Sequence, residues 1–448
     1  MTTYWCERAW LGPADGVREG VAIGVTGDRI ASVETPAAPS PGAVVLQGLV
    51  VPGFANCHSH VFHRALRGRT QSGSGSFWAW REQMYAVAER LDPDSFRRLA
   101  RATYAEMATA GVTAVGEFHY LHHGPDGVAY ADANEMGHAA VAAAREAGLR
   151  ITLLDTCYLS AGFGSPVRGV QRRFSDGDAD GWVTRVEQLT AAYAGASDVV
   201  VGAAIHSVRA VPAGQLRTVA DWADRRESPL HVHLSEQPAE NADCLAATGR
   251  TPTMLMAEHG VLGPHTSVVH ATHLGPEDIA VLGDCGVYAC LCPTTERDLA
   301  DGVGPSRALV TAGAVLTLGT DSHAVIDMNE EMRAVEMDER LISLRRGTWH
   351  ADELMTAATS NGQSSLGFLG TSGLVVGGRA DLVCLRTDSA RTAGTGGDAQ
   401  TAVFAATAAD ITDVVVDDSP VVTGSRHMSL PEAARDLDAV VGEILAAS

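Results

Sequence analysis

The chain is 448 residues long with a formal net charge of −21, 46% hydrophobic and 19% charged residues, and no lysine, so all 33 basic residues are arginine. This composition excludes a disordered or fibrous chain, and an acidic balance without any basic run excludes nucleic acid and anionic membrane surfaces as partners. A small anionic substrate would have to meet arginines concentrated in its pocket.

The first residues, Met1 to Glu7, lack the basic start and apolar run of a signal peptide, and no apolar stretch reaches membrane-spanning length, so a cytoplasmic location is expected. From Val21 to Val51 short β-like runs are broken by Gly, Pro and Asp turns. Similar texture returns in Leu374 to Val376, Asp381 to Leu385 and Ile411 to Val416, so residues 1–50 and 366–425 are expected to build one small β-sandwich domain from both chain ends.

Between them, over residues 51–365, strand-like runs alternate with Ala-rich helical stretches such as Asp94 to Gly111 and Ala133 to Gly148. Eight strands are expected to start at Val50, Thr113, Ile151, Val199, Leu230, Val268, Val287 and Val315. That is an α/β chain with a (β/α)8 TIM-like barrel. Residues 426–448 read as a final helix, with Ser429 and Glu432 spaced as a capping box and Leu437, Val440, Val441, Ile444 and Leu445 on one face. Eight scattered cysteines show no disulfide spacing and read as buried reduced thiols.

Active sites of such barrels lie at the C-terminal ends of the strands, and these ends are polar. His58-Ser59-His60 closes an apolar run, and in an extended strand residues i and i+2 point the same way, so both imidazoles can reach one ion. His233 closes His231-Val232-His233-Leu234, and Asp321 follows Ala314 to Thr320. Alone, His233 reads as a core histidine and Asp321 as a helix N-cap. Together, the four donors read as a site for zinc or a similar divalent ion, with a position left for water. Other strand ends carry Glu117 and His119, Asp155 and Tyr158, His206, Glu236, His270, and Thr294 with Thr295.

On these residues the chain resembles the amidohydrolase superfamily over nearly its whole length, split β domain included. Many members hold two metals bridged by a carboxylated lysine. A chain without lysine cannot, so the resemblance implies one divalent metal ion per subunit, zinc, on His58, His60, His233 and Asp321. The HxxE spacing of His233-Leu234-Ser235-Glu236 is similar to the deaminase branch.

More narrowly, the chain resembles the formimidoylglutamate deiminase family. The matching stretches are Cys57 to His60 with Phe62 to Ala65, Phe77 to Glu82, Glu117 to Tyr120, His206 to Val211, His233 to Gln237 and Pro293 to Glu296. The resemblance implies hydrolysis of N-formimino-L-glutamate to N-formyl-L-glutamate and ammonia in histidine degradation. Asp321 and His270 would take a proton from water at the metal, and Glu236 would deliver one to the leaving nitrogen. Arg209, Tyr120 and Arg81 would hold the substrate carboxylates, with His206 and His63 lining the pocket. The chain departs from the family pattern at His63 and in Ser322 to Asp327, which bears on the substrate. The alternative is the same mononuclear chemistry on a purine or another N-formimino amino acid. A homo-oligomer, a dimer, is expected.

Overall fold

Through the middle of the chain, runs of β-branched and small apolar residues form strands buried on both faces, because amphipathic Ala-rich helices cover them from outside. The computed structural model describes residues 2–36, 38–71, 77–370 and 373–446. Its barrel strands are, from first to eighth, Phe54–Ser59, Val112–His119, Arg150–Cys157, Val199–Ile205, Leu230–Leu234, Thr266–His270, Tyr288–Leu291 and Val315–Leu318. Each pairs in parallel with the next. A parallel bridge between Ser59 and Asp321 joins the eighth strand's end to the first. There the Asp321 amide donates to the His58 carbonyl at 2.9 Å, and the His60 amide to the Asp321 carbonyl at 3.1 Å. The barrel therefore closes on two of its own candidate metal-ligand segments.

The expected start of the first strand is corrected. Val50 lies in Val44–Pro52, which pairs with Thr2–Trp10 and Leu382–Leu385 in the flanking sheet. The barrel strand begins only at Phe54. The two strands are consecutive in one apolar run, and Gly53 makes the break: its amide donates to the Asp381 carbonyl at 3.2 Å, and a Cβ there would meet the Thr113 hydroxyl oxygen at 2.2 Å.

The flanking β unit is one hydrogen-bonded sheet of eight strands. The N-terminal part supplies Thr2–Trp10, Val17–Thr26, Arg29–Glu34 and Val44–Pro52, and the C-terminal part supplies Leu382–Leu385, Ile411–Val416, Ser419–Thr423 and Arg426–His427. Tyr4, Cys6, Ile23 and Val25 share a core with Leu382, Cys384 and Val415, so both chain ends fold into one unit. It lies at the N-terminal ends of barrel strands, where Arg150 donates to Asp381 at 2.9 Å, leaving the opposite ends open for chemistry.

The tail helix runs Ala433–Ala446 and buries Leu437, Val440, Val441 and Ile444; the last two residues of its expected span lie outside the described residues. Arg98 and Arg101 of the helix Pro93–Thr109 reach Glu443 at 2.7 Å and Asp436 at 3.0 Å. The expected Ser429 cap is not made. The Ser429 hydroxyl donates to the Glu146 carbonyl at 3.3 Å, and the helix starts beyond it. All eight cysteines are free, seven of them buried and Cys285 half-buried. Among the described residues, no helix is long and apolar enough to cross a membrane.

Candidate metal centre and active site

Strand alternation brings His58 and His60 to one side, and the fifth strand brings His233 to meet them. Their Nε2 atoms lie 3.1 Å (His58–His60), 3.1 Å (His58–His233) and 3.3 Å (His60–His233) apart. The Asp321 Oδ1 is 3.5 Å from His58 Nε2 and 3.4 Å from His60 Nε2. Four donors around an ion at about 2.0–2.1 Å in a tetrahedron stand about 3.3 Å apart, and the five separations among them given above fall at 3.1–3.5 Å.

The tautomers agree with this fit. His60 Nδ1–H donates to the Phe118 carbonyl at 3.0 Å and His233 Nδ1–H to the His206 carbonyl at 2.9 Å, so in the neutral rings both Nε2 atoms present lone pairs. Burial holds all three rings below the ordinary histidine pKa. Neutral lone pairs facing each other at this distance repel unless a cation lies among them. The donor set therefore fits a divalent metal.

A fourth histidine stands beside this group. His270 Nε2 is 3.7 Å from Asp321 Oδ2 and 3.8 Å from Glu236 Oε1, while its Nδ1 faces Glu296 at 3.3 Å. Burial opposes charge on His270, but Glu236, Glu296 and Asp321 outweigh it and raise its pKa well above the usual value. Burial pushes Glu236 up to about 7, so this carboxyl can carry a proton near neutral pH. Asp321 falls to about 2, because contact with the His58 ring outweighs burial. Cys292 also offers its sulfur within ligand range of His270 and Asp321, a neighbour the sequence reading did not include.

The backbone is strained around this centre. Ser235, His270, Ala271, Asp321 and His323 all have left-handed φ between 42° and 69° without being glycine. Such conformations cost roughly 1–3 kcal/mol each and gather at functional sites.

The space over the centre, counted out to the open solvent at its mouth, is about 570 Å³. Every residue expected at the site reaches this pocket or the donor cluster beneath it: His60, His63, Arg81, Tyr120, His206, Arg209, His233, Glu236, His270 and Asp321 line it, and His58 lies below. His63 Nε2 pairs with the Tyr120 hydroxyl at 2.9 Å. The Arg209 Nε–H donates to Glu240 at 3.0 Å, and the Arg81 guanidinium lies 5.5 Å from the Tyr85 ring centre.

Of the other polar strand-end residues Tyr158 lines the pocket, whereas Glu117, His119, Asp155, Thr294 and Thr295 do not. Phe118 and Tyr120 point inward, so Glu117 and His119, one residue out of phase, face away. Glu117 accepts from the Ser59 hydroxyl at 2.6 Å and the Val61 amide at 2.8 Å, bracing the segment that carries His60; burial pushes its carboxyl up to about 8. Asp155 is held by Arg185 at 2.7 Å and by the Trp182 indole at 2.8 Å. Thr294 bonds Glu331, and Thr295 pairs with Ser322 at 3.0 Å. Unforeseen were Glu240 and the pocket walls Met84, Tyr85, Phe174 and Leu299, and Glu296, the end of a matching stretch, had been given no role. Glu240 stands seven residues after His233, at the start of the helix Pro238–Thr248.

A parallel β/α barrel with three histidines and an aspartate at its strand ends defines a class of hydrolytic enzyme, and the amidohydrolase family model matches residues 49–421. The chain belongs to the amidohydrolase family. It is 36% identical to formimidoylglutamate deiminase of Pseudomonas aeruginosa, over 99% of this chain and 100% of that protein. It is 29% identical to 8-oxoguanine deaminase of the same organism, over 77% of this chain and 76% of the relative. Among solved structures it is similar to an amidohydrolase from Brucella melitensis, with a TM-score of 0.92, 34% identity and both chains fully covered.

Proposed function

We propose that this enzyme hydrolyses N-formimino-L-glutamate to N-formyl-L-glutamate and ammonia, with one divalent ion, zinc, held by His58, His60, His233 and Asp321. The observation that carries this reading is that two arginines, Arg81 and Arg209, line the same pocket as Glu236 and His270 in a chain of net charge −21. Guanidinium groups suit carboxylates, which the acidic surface would otherwise repel. Identity of 36% over the full length to a formimidoylglutamate deiminase supports it.

An ion in this donor set supplies the Lewis acidity that makes water a nucleophile near neutral pH. Asp321 faces that position and takes the water's proton, while His270, which Glu236, Glu296 and Asp321 keep protonated, donates to the attacking oxygen and holds it in place and is not the proton acceptor the resemblance implied. Water adds to the formimino carbon, and Glu236, protonated near neutral pH, passes its proton to the terminal nitrogen. The proton first taken from water passes to the same nitrogen, the adduct's hydroxyl proton returns to Glu236, and ammonia leaves as the C=O bond forms; the remaining C–N bond stays in the formyl product. Arg209, Arg81, Tyr120, His206 and His63 bind and orient the carboxylates.

A second reading has one observation in its favour. Trp80, Tyr85, Tyr120, Tyr158 and Phe174 line the pocket, walls on which a planar purine could stack. One assay separates the two: metal-loaded protein with N-formimino-L-glutamate, its aspartate homologue and a set of aminopurines, recording ammonia. Release from the glutamate compound above all others is expected. Release from a purine with none from the glutamate compound overturns the assignment.

A further inference from the structure

Glu240 is buried, lies outside the metal and proton-transfer groups, and joins the two halves of the pocket. Its Oε2 accepts from the Arg209 Nε–H at 3.0 Å, and its Oε1 accepts from the Ser235 amide at 3.0 Å. Arg209 is the guanidinium facing the pocket. Ser235 directly precedes Glu236 and carries the left-handed φ of 53° that turns the Glu236 side chain inward. We propose that Glu240 is a positioning residue that sets the anion clamp and the proton-donating turn with one carboxylate, so that a substrate anion gripped by Arg209 lies at a fixed distance from Glu236.

The geometry explains how. Among the described residues, Arg209 is hydrogen-bonded through Nε alone, which leaves its two Nη groups for a bidentate carboxylate. A guanidinium anchored at Nε cannot swing, and an amide held on a carboxylate resists relaxation of a strained residue. Gln237, the next residue after Glu236, is tied through its side-chain amide to Asp301, so the turn is fixed on both sides. Glu240 thus links substrate selection to chemistry, and it favours substrates whose carboxylate stands at a set distance from the C–N bond. This inference rests on Arg209 acting as the clamp of the proposed function.

Glu240→Gln is the decisive variant, because both partners are donors and a carboxamide offers only one acceptor. One contact becomes donor against donor, and the other loses the charge that strengthens it, so both are weakened. Loss of a hydrogen bond to a charged group is worth roughly tenfold or more. For N-formimino-L-glutamate we expect KM to rise about tenfold and kcat to fall about tenfold. Cobalt affinity by chelator competition and the visible spectrum of the cobalt-loaded protein should stay unchanged. With N-methylformamidine, which has no carboxylate, only kcat should fall. Adding Glu240→Gln to Arg209→Ala should raise KM no further.

An unchanged KM for the glutamate compound, equal losses on both amidines, or loss of cobalt would overturn the proposal. If Glu240→Gln fails to fold, Glu240→Asp, which keeps the charge but cannot span both partners, carries the same test. Wild-type turnover is measured first, so failure of the substrate assignment appears separately. If the wild type acts on a purine alone, the anion clamp falls with the substrate assignment, and the role of Glu240 in setting the Glu236 turn stands when Glu240→Gln lowers kcat for that purine with cobalt retained and falls when kcat does not move.

Discussion

At the scale of single residues, the proposed function divides the site into groups that would hold a metal and groups that would move protons, and the two should respond differently to substitution. His233 gives Nε2 to the donor cluster and Nδ1–H to the His206 carbonyl. His233→Ala should weaken zinc binding by more than about 100-fold, since loss of an outer partner alone costs about 10–100-fold. Chelator competition measures this directly. Glu236 is 3.8 Å from His270 but is not one of the four donors. Glu236→Gln should therefore keep the metal while kcat falls by about 10²–10⁴-fold, the usual contribution of a positioned acid or base. Turnover close to wild type would remove Glu236 from proton transfer. His58 and His60 were legible in the sequence because strand periodicity places i and i+2 together, and His233 and Asp321 because they follow strand-like runs. Glu240 and Glu296 were not, because their partners Arg209 and His270 lie 31 and 26 positions away and no local rule joins them.

At the scale of elements, the seam between the first and eighth strands matters most. A Cβ on Gly319 would stand 2.7 Å from the His58 Cβ and 2.8 Å from its amide nitrogen. Gly319→Ala must push the two strands apart, at a cost of about 1–3 kcal/mol for overpacking. His58 and Asp321 sit on the two sides of this seam, so zinc affinity should fall together with the melting temperature. A drop in melting temperature with zinc affinity intact would show that the seam does not set the metal geometry. A hydrogen-bond chain reinforces it: the Asn56 amide donates to the Thr320 hydroxyl at 2.8 Å, Thr320 to His323 at 2.9 Å, His323 to Ser59 at 3.0 Å and Ser59 to Glu117 at 2.6 Å. The strand count follows from alternating patterns. The break at Gly53 does not, because Leu49 to Phe54 reads as one continuous apolar run until the partners on either side are known.

At the scale of the whole molecule, buried ion pairs tie the barrel's outer layer to its strands. Arg185 holds Asp155 at 2.7 Å and Asp176 at 2.9 Å, and its attraction outweighs burial, keeping both carboxyls below the usual range. A carboxylate with a depressed folded pKa contributes stability that is present above its unfolded value of about 3.9 and is lost as pH falls towards the folded one. Wild-type melting temperature should therefore drop as pH falls below about 4. In Arg185→Met the two carboxylates lose their counter-charge, at a cost of about 3–5 kcal/mol. Burial then raises their pKa values, so the variant should lose stability as pH rises through them. Melting curves of both proteins across pH check the sign, and parallel curves would refute the assignment.

The sequence by itself determined the barrel, the β unit shared by both chain ends, and the residue types at the strand ends, since period and punctuation are local properties. It also excluded a lysine-bridged pair of metals, because composition needs no coordinates. Only the tertiary structure decided which polar strand ends face the pocket, where one residue of phase separates Tyr120 from Glu117. It alone placed Glu240 between Arg209 and Ser235, because contacts between distant segments arise from packing and leave no period in the chain.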